Sequence, residues 1–214
     1  MVVLPKLEQL NTDHGRFYRT PDGIVYPSVT TVLSSQKDDF LDEWRKAVGE
    51  EEAAKISQRA SSRGTRIHKY IEEHLLGNSV KCSSIIDQVA YNSLIPVLSE
   101  ISDVRAIETR LYSNYLKSAG TVDLCARFKK RRSIIDWKTS NGLKYKSQLD
   151  SYFMQAAAYA VAWEERTKEP IINLVIIMAV DMDVPQLFIE HRDNWVGQYM
   201  KIRKEFKNEY MGAI

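Results

Sequence analysis

Residues 119–140, AGTVDLCARFKKRRSIIDWKTS, hold two apolar arms separated by a basic tip, Lys129-Lys130-Arg131-Arg132. β-Branched and aromatic residues in both arms predict a β-hairpin. A turn centred between Lys129 and Lys130 sets Asp123 opposite Asp136. Directly opposed side chains have Cβ atoms roughly 4.5–5.5 Å apart, and like charges so placed repel. The side-chain period of two brings Lys138 to the face of Asp136 and turns Ile135 and Trp137 the other way. Two carboxylates and a lysine on one small surface suit a hard divalent cation, which relieves the repulsion and activates water. The lysine can then orient or deprotonate a water, or stabilise developing negative charge, as phosphodiester hydrolysis requires. The same residues also fit a solvated hairpin in which Lys138 is simply a salt-bridge partner. Lys-Lys is not the Asn-Gly or Asp-Gly pair that favours a two-residue turn, but a longer loop with the same centre preserves the pairing.

Composition sets the bounds. A chain of 214 residues that is 44% hydrophobic accommodates one domain with a sizeable core. With 30 basic against 28 acidic residues, net charge does not announce a nucleic-acid partner, so a basic groove requires uneven placement. Cys82 and Cys125 are too few for a four-thiolate zinc or iron-sulfur site and read as buried thiols in a reducing compartment. No apolar run reaches membrane-spanning length, and the opening MVVLPKLEQLN has neither a signal-peptide core nor an organelle presequence. The expectation is a soluble, cytoplasmic protein with no membrane partner.

Along the chain, residues 1–25 are short of periodic apolar pattern, with turns at Asp13-His14-Gly15 and Pro21-Asp22-Gly23, and residues 1–35 read as an N-terminal arm. Ser28 is an N-cap candidate for a short helical turn whose free N–H groups can meet a phosphate; an ordinary cap fits equally. Residues 36–80 form a helical region, with a long helix from Glu50 to Leu76 ended by Gly77-Asn78. Ile67, Ile71 and Leu75 form its buried stripe, and His68 lies beside that stripe with Gly64 and Glu72 one turn away on its face. From this segment alone His68 reads more readily as a core or surface residue than as a ligand. Arg59, Arg63, Arg66 and Lys69 carry enough charge for phosphates, though a solvated face explains them equally.

Ile85–Leu98 reads as a helix, and Asp103–Tyr112 as a strand whose alternation is too weak to assign the face of Glu108. Lys144, Tyr145 and Lys146 mix basic and aromatic character in a loop suited to single-stranded nucleic acid. In the helix over 147–165, Gln148, Tyr152, Gln155 and Tyr159 share one face, the pattern of a partly buried packing face or of a binding face. The apolar run Ile171–Val180 predicts a strand covered on both sides. Gln186–His191 predicts a further strand and Trp195–Tyr210 a closing helix. The expected organisation is one domain over residues 1–214, with the sheet and the Gln155 helix in 101–191 and the last helix in 192–214.

Taken in order, Gly64-Thr65-Arg66-Ile67-His68, Gly120-Thr121-Val122-Asp123, Asp136-Trp137-Lys138-Thr139-Ser140 and Gln155-Ala156-Ala157-Ala158-Tyr159 resemble the motifs of RecB-like PD-(D/E)XK nucleases. Within that superfamily they most resemble the mitochondrial genome maintenance exonuclease group and its phage and bacterial relatives, which degrade single-stranded DNA. The resemblance runs from near Tyr26 to about Trp163. It implies an α/β restriction-endonuclease-like core, a mixed central sheet flanked by helices, and a Mg²⁺- or Mn²⁺-dependent DNA exonuclease of replication, recombination or repair. It also implies metal ligation by His68, Asp123, Asp136 and the Trp137 backbone carbonyl, and a catalytic Lys138. Gln155 and Tyr159 would border the site and help hold DNA, joined by Arg63, Arg66, Lys144, Lys146 and Ser28. Glu72 and Glu108 are candidates for supporting parts. The implied partners are DNA with single-stranded ends and replication or recombination proteins, and the missing presequence points to a phage or bacterial source. Two other readings stay open: a flap or junction endonuclease, and a catalytically silent DNA-binding accessory protein on the same fold.

Overall fold

The computed structural model of the chain describes residues 2–36 and 39–206. The first strands, β1 (Glu8–Thr12), β2 (Gly15–Arg19) and β3 (Val25–Pro27), form a small antiparallel sheet where the sequence led us to expect an arm. Its two turns fall where the Gly-containing tripeptides predicted them, with Gly15 at φ 118° and Gly23 at φ 83°. The strands themselves are too short for alternation to show. They are fixed by tertiary packing of Leu7, Tyr18 and Tyr26 against Tyr112 and Ala119. Ser28 then caps α1 (Val29–Ser34), its Oγ accepting from Thr31 N–H at 2.9 Å.

The helical region comprises α2 (Asp39–Val48), α3 (Glu50–Leu75) and α4 (Ile85–Leu98). Gly49, at φ 91°, makes the break between α2 and α3. Three glutamates in the first turn of α3 suit its positive end, and Ile67 and Ile71 form the stripe it buries. Ser84 caps α4 by accepting from Asp87 N–H at 3.1 Å.

The main sheet is built from β4 (Ile101–Ser113), β5 (Ser118–Phe128), β6 (Arg131–Ser140), β7 (Asn173–Val180) and β8 (Gln186–His191), in that spatial order. Between β6 and β7 lie a 3-10 turn (Lys146–Gln148) and α5 (Asp150–Thr167), and α6 (Asp193–Glu205) follows β8. Only the β6–β7 pair is parallel, its crossover passing through α5, so the sheet is mixed as expected. β7 is the near-continuous apolar strand: Leu174, Ile176 and Met178 face the α5 side, while Val175, Ile177 and Ala179 face the α3–α4 side. Alanines 156, 157, 158 and 160, all buried, bring α5 close to the sheet. The closing helix ends at Glu205, short of the Tyr210 expected; residues 207–214 lie outside the described residues.

Candidate metal centre

The β5–β6 hairpin closes on Lys129-Lys130 and pairs Phe128 with Arg131 through to Leu124 with Ile135. That register carries Asp123 to Asp136, as the sequence predicted. On the other side, Ile107 pairs with Leu124 and Thr109 with Val122, so Glu108 falls in the same row as the two aspartates. Regular pairing lapses at this row for two reasons. Asp123 Oδ2 accepts the Trp137 N–H at 3.0 Å in place of a backbone carbonyl, and Glu108 adopts a left-handed φ of 41°. A non-glycine residue in that region costs about 1–2 kcal/mol, which the packed sheet around it must offset.

His68 of α3 reaches over this row. Its Nδ1 lies 3.2 Å from Glu108 Oε1 and 3.7 Å from Asp123 Oδ2, and its Nε2 lies 3.1 Å from the Trp137 carbonyl oxygen. Both ring nitrogens therefore face acceptors, an arrangement satisfied by an imidazolium donating from each. Its pKa is pushed up to about 9: burial, the largest influence, works against the charge but is outweighed by the Glu108 hydrogen bond and the nearby Asp123 and Asp136. Asp123 is pushed up to about 7, first by burial and then by Asp136. Asp136 is 1% exposed and neither carboxylate oxygen has a well-formed hydrogen bond, although Lys138 Nζ approaches one of them to 2.5 Å. A buried carboxylate left so poorly satisfied, beside two more acids and a carbonyl, is a donor set that fits a hard divalent cation. Ligand atoms of His68, Glu108 and Asp123 lie within 4.8 Å of one another, close enough for a single ion.

Lys138 stands on the α5 side of Asp136. Burial, the largest influence, lowers its pKa, but Asp136 and Asp123 outweigh it and the value is raised, so the side chain is an ammonium. Its Nζ lies 3.5 Å from Gln155 Oε1 and 4.9 Å from the centre of the Tyr152 ring. Tyr159 hydrogen-bonds Gln155 and is raised well above the usual phenol range, by burial first and then by Asp123 and Asp136. Its ring lies against Gly120: a Cβ there would come within 2.6 Å of the Tyr159 hydroxyl. Gln155 and Tyr159 are 9% and 3% exposed, and Gln155 is the one of the two that contacts Lys138.

The other expected DNA contacts are placed differently from expectation. Arg66 bonds Asp87 with two nitrogens, at 2.8 and 3.3 Å, and ties α3 to α4. Arg63 pairs with Asp181 beyond the end of β7. Both are engaged by carboxylates of the fold, Arg63 largely buried and Arg66 with its side chain still partly exposed. Ser28 is 1% exposed, and its hydroxyl is spent on Thr31 and Thr30, so it offers no free donor to a phosphate. Lys146 pairs with Glu190 of β8, and the Lys144 backbone is clamped by the Gln186 amide at 2.7 and 3.0 Å. Glu72 stands one turn from His68 and with Gly64, Thr65, Lys69 and Glu108 lines a groove of about 540 Å³ leading to the cluster. Glu108 also lines a second groove, of about 460 Å³, formed with Leu4–Leu7 and Arg110.

Glu108 is the cluster member whose face the sequence left unassigned. A register shift between Ser102 and Ala106 breaks the alternation of β4 ahead of it. The signal lay in the next turn: centring the β4–β5 hairpin on Tyr115-Leu116 sets Glu108 against Asp123.

Exonucleases of one name in three vertebrates are similar in sequence to this chain. Mitochondrial genome maintenance exonuclease 1 of Mus musculus is 30% identical over 130 residues, covering 53% of this chain and 37% of that protein. The chain is similar to these exonucleases. The Xenopus tropicalis protein of the same name is 29% identical over 146 residues, covering 62% and 42%. The Homo sapiens protein is 27% identical over 157 residues, covering 67% and 45%. These likenesses bear out the resemblance read from the motifs, and the chain spans less than half the length of each of these relatives. A crystal structure from Eubacterium rectale, provisionally named an exonuclease, aligns with a TM-score of 0.46 at 16% identity, covering 68% of this chain and 64% of that one. No protein-family profile matches the sequence.

Proposed function

We propose that the chain is a divalent-metal-dependent DNA exonuclease acting on single strands, in replication, recombination or repair. The observation that carries this reading is the convergence of His68, Glu108, Asp123 and the Trp137 carbonyl, with the buried Asp136 and its ammonium partner Lys138 beside them. His68, Asp123, Asp136 and the Trp137 carbonyl would hold Mg²⁺ or Mn²⁺, with Glu108 close enough to join them. Such an ion supplies Lewis-acid stabilisation of a phosphoryl oxygen and lowers the pKa of water at the site. In its absence the His68 imidazolium occupies the same negative surroundings.

Without the metal Lys138 is kept protonated by its two aspartates, which suits it to orient a water or to stabilise negative charge developing on the phosphate. Gln155 and Tyr152 fix where that ammonium points. Asp123 doubles as ligand and as acceptor of Trp137 N–H, which locks the carbonyl of Trp137 toward His68. The exonuclease names of the similar proteins support hydrolysis from an end, and the motif resemblance supports single strands.

The test is a time course on single-stranded DNA labelled at either end, with a circular control, in Mg²⁺, Mn²⁺ and EDTA. Stepwise loss of linear DNA alone, abolished by EDTA, is the expected outcome, and the order of label release gives the polarity. Cutting of the circle would replace the reading with an endonuclease, and no cutting in either metal would replace it with a DNA-binding protein.

A further inference from the structure

The basic tip of the β5–β6 hairpin takes no part in the metal centre. Lys129 and Lys130 form its two-residue turn with φ of 45° and 68°, the left-handed pair of conformations that Asn-Gly ordinarily occupies. Turn geometry does not require lysine at either position, so charge is the property these residues contribute. Two neighbouring arginines are spent on the fold. Arg127 lies 3.3 Å from Asp103 Oδ2, and Arg132 bridges Asp103 and Glu169 at 2.6 and 2.9 Å. Lys130 and Arg131 are exposed and have no ion-pair partner among the described residues.

These two cations stand at the rim of a groove of about 640 Å³ whose other wall carries Ile172, Ile189 and His191. Ile172 and Ile189 are 48% and 45% exposed, an apolar floor open to solvent. Glu190, the acid in the groove, is already engaged by Lys146 and by the Asn194 amide. The positive rim is therefore uncompensated. A positive rim beside exposed apolar side chains suits phosphates on one side and base faces on the other, with His191, whose Nδ1 accepts the Asp193 N–H, as the aromatic ring on which a base can stack.

We propose that this groove is a second nucleic-acid contact, in which Lys130 and Arg131 meet the phosphodiester backbone of a single strand and Ile172, Ile189 and His191 receive its bases. The proposal rests on the nuclease reading above. Arg131 is five residues along β6 from Asp136, about 17 Å at the usual strand rise, so a strand touching both regions is several nucleotides long.

The test replaces Lys129-Lys130 with Asn-Gly, adding Arg131→Gln in a second variant, and measures binding of a labelled oligothymidine by anisotropy in EDTA over a range of salt. Asn-Gly supplies the preferred turn residues while removing charge, so the melting temperature should hold or rise. Binding should weaken several-fold, and the slope of log affinity against log salt should fall by about 0.7 for each phosphate no longer neutralised. Unchanged affinity and slope in the second variant, with the unaltered chain binding and cleaving normally, would overturn this proposal and leave the nuclease reading standing. An unaltered chain that neither binds nor cleaves oligothymidine would overturn both. Weaker binding to polyglutamate with oligothymidine binding intact would overturn the proposal in favour of an acidic protein partner.

Discussion

Removing metal should make the stability of this protein fall as pH rises, which reverses the trend common among proteins whose carboxylates are salt-bridged. Asp123 has an ordinary value of 3.8 and is pushed up to about 7 in the folded chain, by burial and then by Asp136. The folded state therefore holds a proton on Asp123 that the unfolded chain has already released. Stability is complete below about pH 4 and is lost as pH rises through about 7. His68 acts in the same direction, raised from 6.5 to about 9, so its contribution is present below about pH 6.5 and lost as pH rises through about 9. A shift of roughly three units on Asp123 corresponds to at most about 4 kcal/mol. For a chain of this size each kcal/mol moves the melting temperature by about 2–4 °C.

Between pH 5 and 8 in EDTA the melting temperature should thus fall by about 5–10 °C from Asp123 alone, and further from His68 above about pH 6.5. A divalent cation replaces the protons, so it should add about 2.7 kcal/mol at a hundredfold excess over its dissociation constant, and more at pH 8 than at pH 5. The assay is a thermal melt at four pH values with EDTA, Mg²⁺ or Mn²⁺, repeated on Asp123→Asn, which should lose most of the slope and most of the metal increment. A flat profile in EDTA, or an equal metal increment at pH 5 and pH 8, would refute the reasoning.

Three further outcomes are expected. Gly120→Ala drives a methyl to 2.6–2.7 Å from the hydroxyl and Cε1 of the buried Tyr159, and should cost about 1–3 kcal/mol in urea denaturation; Tyr159→Phe should not relieve it, because the ring carbon still collides. Gly64→Ala should do the opposite: its Cβ meets only Thr139 Oγ1 at 3.7 Å, so the helix gains about 0.5–1 kcal/mol in the same assay. Arg66→Ala should destabilise by about 2–3 kcal/mol, because it strips two charged hydrogen bonds from Asp87, which is 2% exposed. Its affinity for DNA, measured below the melting transition, should change little.

The centre of the fold was legible because two of its signals are local. The hairpin register follows from the position of one short turn, and it correctly set Asp123 against Asp136. β7 announced itself by an apolar run that only a strand covered on both faces can bury. What stayed hidden depended on longer-range geometry. The strands of the N-terminal sheet are too short for a period, and their aromatic residues find partners more than 80 positions away, as in the 3.3 Å contact of Tyr18 with Thr121. The face of Glu108 was masked by the irregular pairing before it and by its own positive φ. The carboxylate partners of the α3 arginines were hidden for a related reason. Helical spacing tells which residues share a face, but not that Asp87 and Asp181 wait on that side. His68 was placed by motif resemblance, since a single histidine on a helix carries no signal of what it will face.

The most direct measurement of the central claim is the rate at which purified Asp136→Asn degrades linear single-stranded DNA in Mn²⁺, beside the unaltered chain and Lys138→Ala. The substitution keeps the shape of a buried side chain while removing the charge that a cation and Lys138 both need. Loss of at least about 3 kcal/mol of transition-state stabilisation, more than a hundredfold in rate, is expected from Asp136→Asn with the melting temperature maintained. Degradation by Asp136→Asn at the rate of the unaltered chain would contradict the account.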